Sequence, residues 1–301
     1  MKARKNTVKI SKAERAFDIF NFLFMVCMMA VMFYPMWHVI CASFSDAKLL
    51  SSHTGPLLWP EGYSLTAYKL MAKNPMILRG YGNTLFILVF GLLLNMTMTC
   101  LAAYVLSRRN LMLNKFFTIL IVFTMYFSGG LIPTYLNIIQ LGMENTLWAV
   151  IVPGAISTYN MIVMRTGFAA VPESLEEAAK IDGASRIRIL WQIILPLSKA
   201  TVAVISLYYA VAHWNSWFNA MLFLSDRQKF PLQLILREIL INNDTATMVN
   251  ANMNVGVGDA SFVSETVKYA VIIVSAVPIL CVYPFIQRYF TKGVMIGAVK
   301  G

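Results

Sequence analysis

The chain has 301 residues, of which 58% are hydrophobic and only 13% charged, with a formal net charge of +11. Soluble globular domains carry about 25% charged residues, so this composition excludes an ordinary soluble domain and points to lipid. Cys27, Cys41, Cys100 and Cys281 lie in or beside apolar runs without CxxC or metal spacing, and read as small hydrophobes.

Residues 1–15 form a basic tail suited to a membrane surface. Beyond it, six runs contain no Asp, Glu, Lys or Arg: 19–45, 80–107, 116–143, 145–164, 200–225 and 269–287. About 20 helical residues cross a hydrocarbon core of ~30 Å. The expected fold is therefore an all-α polytopic membrane protein, with one domain over 16–290 carrying six transmembrane helices. They are centred on 17–43, 83–106, 116–139, 145–167, 199–224 and 267–287. The first run is too long for a cleavable signal peptide and reads as a signal-anchor.

The loop 46–79 has Gly-Pro, Trp-Pro and Asn-Pro turn signals around an amphipathic stretch, Leu65 to Leu78. A simple lid and a contact for an extracytoplasmic partner both fit it. In the second span, Asn83, Asn95, Thr97 and Thr99 are mild polar groups of the kind that bind helices together. The third span is interrupted at Gly129, Gly130 and Pro133, and the fourth at Pro153 and Gly154. Both should bend there as hinges. A plain kink is one explanation; two breaks at matching depth also point to a substrate path. Tyr159 and Asn160 add hydrogen-bonding groups beside the second break.

Between the fourth and fifth spans lies a charged segment, Val171 to Lys199. Pro172 suits a helix start, Glu173, Glu176 and Glu177 favour the positive end of its dipole, and Glu176 with Lys180 makes an i,i+4 pair on an exposed face. Asp182-Gly183 is a stop and Ser185 a cap for a second helix, whose expected apolar face is Ile187, Leu190, Trp191 and Ile194. In the fifth span, Tyr208, Asn215 and Asn219 fall along one side at helical spacing. Tyr209, His213 and Trp217 form the adjacent stripe, with Trp214 close by. Aromatic faces and amides bind neutral sugars; an aromatic belt with interhelical hydrogen bonds explains the same residues. His213 alone reads as a packing residue. The loop 226–268, rich in Asn242, Asn243, Asn250, Asn252 and Asn254, reads as mobile or ordered by a partner. Residues 291–301 read as a short, flexible cationic tail.

Lysines and arginines alternate in number along the chain. The segments 1–15, 108–115, 165–199 and the C-terminal tail hold 17, against eight in 46–79 and 226–268. By the positive-inside rule both termini and the Val171–Lys199 segment are cytoplasmic. The charge is thus a topology signal and requires no nucleic acid. The charge-free runs leave no carboxylate deep within a span, unlike ion-coupled pumps. The chain also lacks GxxxxGK[ST], HExxH and GxSxG, so neither nucleotide binding by a phosphate loop nor catalysis is expected. A polar path beside a structured cytoplasmic loop suggests a pore driven by a separate engine.

Glu177-Ala178-Ala179, three residues, Gly183, nine residues, then Ile193-x-Leu195-Pro196 resembles the EAA signature of binding-protein-dependent ABC importers. The run Met164–Ser198, the Trp214-Asn215-x-Trp217 region and the ending YFTKGVMIGAVKG resemble the maltose-type carbohydrate permeases. SGGLIPTY at Ser128–Tyr135 resembles the polysaccharide branch. The resemblance implies a permease subunit in a bacterial cytoplasmic membrane, with 171–196 as the EAA coupling loop. It further implies a second homologous permease, two ABC ATPases that use ATP and Mg, an extracytoplasmic solute-binding protein and a saccharide substrate. Glu177 would pair with a basic ATPase group, Ala178 and Ala179 permit close approach, Gly183 make the bend, and Ile193 with Leu195-Pro196 tie the loop to the fifth span. A permease for another solute and a stand-alone secondary transporter are the alternatives.

Overall fold

A computed structural model describes residues 11–108, 112–241 and 257–298. Every element among them is helical. The chain divides into two compact units, Met1–Leu70 with Thr245–Ile273 and Met71–Asp244 with Val274–Gly301.

In the first unit, α1 (Lys12–Ser43) begins at a reciprocal cap. Ser11 Oγ accepts from Glu14 N–H, and Glu14 accepts from Ser11 N–H, each at 3.1 Å. Side chains from Phe17 to Met36 are almost all exposed and apolar. A helix that is hydrophobic all round and unburied in its own chain belongs in lipid. Its last turn is different: Cys41 and Ala42 are buried against Leu57. Trp37 Nε1 donates to Leu58 O at 2.8 Å, and Tyr34 OH accepts from Leu57 N–H at 3.0 Å. Asp46 then caps α2 (Ala47–Ser52). The loop is thus stitched back onto the helix that precedes it. The expected amphipathic stretch 65–78 is not one element, because Asn74 caps a new helix at Pro75. α3 (Thr66–Lys73) ends there and α4 (Pro75–Ser107) begins, eight residues before the expected second span.

The second unit is built on α4. Its Cys100, Ala103 and Tyr104 are buried with Met161, Met164 and Phe168 of α8 (Thr158–Ala169) and with Ile205 and Tyr209 of α12 (Lys199–Trp214). Close approach requires glycine at two points. A Cβ on Gly91 of α4 would stand 2.5 Å from His213 Nε2 of α12, and one on Gly167 of α8 would stand 2.6 Å from Thr201 Oγ1.

Among the described residues, three helices are long and apolar enough to cross a membrane: Lys12–Ser43, Pro75–Ser107 and Phe262–Val282 within α15 (Val257–Ala298). Two further pairs pass only as bent spans. α5 (Asn114–Tyr126) and α6 (Leu131–Gln140) meet at 108°, with Gly129 and Gly130 in the bend. The second helix of the charged segment meets α12 at 90°. Region 145–167, expected as one span, is divided into α7 (Leu147–Ile151), a tight 3-10 turn Val152–Gly154 and α8. Proline lacks the donor that would continue α7, so the chain unwinds there.

Two expectations need correction. The run 199–224 is not a continuous helix: α12 stops at Trp214, and α13 (Phe218–Phe223) starts after three intervening residues. The helical stripe drawn across Tyr208, Asn215 and Asn219 is therefore interrupted. Nor is 226–241 a mobile loop. It holds α14 (Leu232–Ile241), with Leu232, Leu234, Ile235, Leu236 and Ile239 buried. Leu232 N–H donates to Thr84 Oγ1 at 2.8 Å, and Asn83 Nδ2 donates to Gln228 O and Phe230 O at 2.8 and 3.0 Å. The asparagines of 242–254 lie outside the described residues. α15 continues to Ala298, past the expected end of the sixth span.

The packing at Gly91 is directly testable. Gly91→Ala should lower the melting temperature of the detergent-solubilised protein by several degrees, as overpacking costs about 1–3 kcal/mol. In a His213→Ala background the same change should cost almost nothing. An equal loss in both backgrounds would place the strain elsewhere.

Candidate functional site

The charged segment folds as a helix pair joined by a left-handed glycine. α9 (Glu173–Ile181) closes with Ala184 N–H on Ala179 O at 2.9 Å and Gly183 N–H on Lys180 O at 3.0 Å. Gly183 has φ 81°. This is the Schellman arrangement, which satisfies carbonyls that a helix end leaves free. Ser185 Oγ then accepts from Arg188 N–H at 3.3 Å and starts α10 (Arg186–Ile189). A wider π-type turn, Leu190–Ile194, leads into α11 (Leu195–Leu197). The wide turn rotates the expected apolar face. Ile189, Leu190 and Ile194 are buried, whereas Ile187 and Trp191 are exposed.

What fixes α9 to the body is a carboxylate expected on the surface. Glu176 is only 5% exposed. Its Oε2 lies 2.9 Å from Arg108 Nη1, its Oε1 lies 3.0 Å from Lys180 Nζ, and Tyr104 OH donates to Oε1 at 3.2 Å. Arg108 follows the last turn of α4, sits 5.1 Å above the Tyr104 ring, and donates through Nη2 to Phe168 O at 3.3 Å. Arg165 Nε adds a bond to Leu106 O at 3.0 Å. Two cations and a phenol converge on one buried carboxylate, joining α9, α4 and α8.

Further along α4 a second polar cluster holds the unwound turn. Asn95 Nδ2 donates to Gly154 O and Ala155 O at 2.5 and 3.0 Å, and Asn95 Oδ1 lies 2.5 Å from His213 Nε2. Tyr209 OH accepts from Ser157 N–H at 2.9 Å and lies 2.8 Å from Thr99 Oγ1. Backbone groups released by Pro153 are thereby paired inside an apolar body, where each unpaired one would cost several kcal/mol. Val152, Pro153, Gly154, Ile156 and Tyr159 remain exposed on the other side of the turn.

The candidate residues separate by burial. In the loop 171–196, Glu177, Ala178, Gly183 and Pro196 are exposed, and Ala179, Ile193 and Leu195 are half-buried against the core. Of the candidate path, Tyr159, Tyr208, Asn215, Trp217 and Asn219 are exposed, while Asn160, Tyr209 and Trp214 are buried. Trp214 Nε1 donates to Ser275 O at 3.3 Å. Of the hinge residues, Gly130 has φ 93° and precedes α6, whose first turn holds Pro133. Among the described residues no group of three His, Cys, Asp or Glu could hold a metal. Sequence reasoning missed Glu176 and Arg108 as partners. The sequence signal was partial: adjacent helical side chains point about 100° apart, so only one of Glu176 and Glu177 can face the body, without saying which.

Residues 87–296 match the family described as binding-protein-dependent transport system inner membrane component. Protein LplC of Bacillus subtilis (strain 168) is 40% identical over 300 residues, covering 99% of this chain and 100% of that relative. The polygalacturonan/rhamnogalacturonan transport system permease protein YtcP of the same organism is 40% identical over 290 residues, covering 96% and 99%. Among solved structures, a chain of a bacterial ABC transporter involved in the import of the acidic polysaccharide alginate superposes with a TM-score of 0.85. It is 31% identical, and the match covers 94% of this chain and 100% of that one.

Removing the buried carboxylate should release α9. Glu176→Ala leaves the Arg108 charge buried without its partner, a change worth about 3–5 kcal/mol. Trypsin cleavage after Lys180 and Arg186 should accelerate strongly, and Glu176→Gln, which keeps the shape and one acceptor, should fall between. Wild-type proteolysis of the alanine variant would show that the cluster does not hold the loop.

Proposed function

Because the chain belongs to the binding-protein-dependent transport system inner membrane component family, and is thus a non-catalytic membrane permease subunit of an ABC transporter, we propose that it imports an oligosaccharide or polysaccharide fragment. An ATPase and a binding protein are the partners such a family implies. In this reading the working complex holds this chain, a second homologous permease and two ATPases. A solute-binding protein delivers the saccharide to the side opposite the docking loop. Both termini and that loop face the cytoplasm, where the partner ATPases use ATP and Mg.

The observation that carries the reading is the contrast within the docking loop. Its outward residues, Glu177, Ala178 and Gly183, are exposed, with Ile181 at 87%, while Glu176 on the same helix is locked into the body. A partner pressing on the outward face therefore moves α4 and α8 with it. The small Ala178 permits close approach, and Glu177 offers its carboxylate to a basic group of the ATPase. Saccharide as cargo is supported by the relatives: one is a polygalacturonan/rhamnogalacturonan permease, the other belongs to an alginate importer. The exposed Tyr159, Tyr208, Asn215, Trp217 and Asn219 supply the aromatic faces and amides that pyranose rings use. Tyr209, Asn160 and Trp214, being buried, support that surface from behind.

The docking role is tested at the turn. A Cβ at Gly183 meets nothing within 4 Å, so Gly183→Val acts only through the left-handed backbone, at roughly 1–2 kcal/mol. In proteoliposomes with the complete complex, the variant should assemble yet lose most saccharide-stimulated ATPase activity and uptake. Wild-type uptake by that variant would remove the turn from coupling. Uptake abolished by an ionophore and indifferent to ATP would instead establish a secondary transporter.

A further inference from the structure

We propose that Arg237, stacked on Trp217 where α12 gives way to α13, is a carboxylate-reading subsite that makes this permease selective for uronate-bearing saccharides. The inference rests on the saccharide reading above and names the chemical class of the cargo.

The site is built from two elements that the fold holds still. α14 is fixed by its buried apolar face and by the bond from Leu232 N–H to Thr84 Oγ1 at 2.8 Å. α13 carries the buried Ala220 and Phe223, and Asn145 N–H donates to Phe223 O at 2.8 Å. Across this pair the Arg237 guanidinium carbon lies 4.6 Å from the Trp217 ring centroid. The ring meets Phe218 edge-on at 5.6 Å and remains 37% exposed. Asn215 and Asn219, both exposed, flank it in sequence. α12 has 16 residues, which at 1.5 Å each puts this break about 24 Å from the docking loop.

Charge singles out Arg237. Two arginines lie here, Arg227 and Arg237 of α14 itself, and the carboxylate of Glu238 is engaged by the first. Glu238 Oε2 takes Arg227, with Nη2 at 2.8 Å and Nε at 3.3 Å. Arg237 keeps the indole face and a weak bond from Nη1 to Met221 Sδ at 3.4 Å, and among the described residues no carboxylate pairs with it. Stacking engages the π face of a guanidinium and leaves its in-plane N–H fork available. That fork matches a carboxylate bidentately. A hexuronate carries a carboxylate on a pyranose ring with apolar C–H faces. An exposed indole, two amides and a guanidinium held only by a weak bond to Met221 complement it group by group. A neutral hexose would leave the fork unpaired, and sites built around such bonds reject ligands that lack the partner.

The test compares two cargoes in proteoliposomes holding the complete complex: a short oligogalacturonate and its fully methyl-esterified form. Wild type should take up the acid with the lower KM. Arg237→Gln should raise KM for the acid about tenfold or more, the loss of one charge-assisted pair, and leave the ester within about twofold. Arg237→Lys keeps the charge but not the fork, and should fall between. If Arg237→Gln fails to reach the membrane, the same KM ratio is read on Arg237→Lys. An unchanged ratio in the variant that assembles overturns the subsite. So does a wild type that prefers the ester, a result that leaves saccharide import intact. ATP-driven uptake of neither cargo by wild type, with another solute carried instead, would overturn the saccharide reading and this inference with it.

Discussion

The second compact unit depends on a carboxylate that cannot leave. Glu176 sits at 5% exposure with Arg108, Lys180 and Tyr104 around it. Withdrawing a carboxylate from water costs several kcal/mol, recovered only when charges and hydrogen bonds meet it in good geometry. The recovery here requires α9, the end of α4 and the carbonyl of Phe168 to occupy one arrangement. Such a cluster contributes little to net stability compared with an apolar core of equal volume. Its contribution is definition, because any displacement of α9 relative to α4 strands a charge.

α4 turns that local definition into a mechanical property of the unit. It is 33 residues long and unbroken among the described residues, hence about 50 Å end to end. Three attachments lie along it: Thr84 to α14, Asn95 and Thr99 to the unwound turn and α12, and Arg108 to α9. The middle one ties α4 to irregular backbone and to a helix that breaks. Irregular backbone survives inside an apolar body only when its donors and acceptors are paired. A continuous helix with side-chain amides and hydroxyls at the right depth provides that pairing. The straight element and the broken ones are therefore complementary, and the breaks are rigidly held instead of loose.

Legibility in the sequence followed the physics of each signal. Charge-free runs located the apolar helices, because burial in lipid tolerates almost no exceptions. Glycine at 183 was readable, because a left-handed residue has few substitutes. The choice between Glu176 and Glu177 was not. Both suit a helix N-terminus, and only the position of Arg108, 68 residues earlier, decides which of them is buried. The break after Trp214 was missed for a similar reason. Asn215-Ser216-Trp217 contains neither glycine nor proline, and helical spacing persists in sequence even where the chain departs from it. The helix at 232–241 was misread because the asparagines that follow coloured the whole loop polar, although its own residues are mainly leucine and isoleucine.

The burial of Glu176 and the stop after Trp214 are points that local spacing does not decide, whereas the unwound turn at 152–157 falls where Pro153 and Gly154 were expected to bend the chain. Such sites carry a free-energy cost that packing elsewhere must offset, and they persist where a function needs them. In the reading proposed above they lie at the two ends of one path. At one end a helix pair offers an exposed face while its inner face is pinned by charge. At the other, the break between α12 and α13 presents an indole and amides, with the Arg237 guanidinium of α14 stacked on the indole. Between them runs α4, with no break of its own and with side-chain attachments near both. In the coupling proposed above, a continuous helix joining a pinned helix pair to a set of backbone breaks would transmit displacement without storing it, the property that a permease without its own energy source needs.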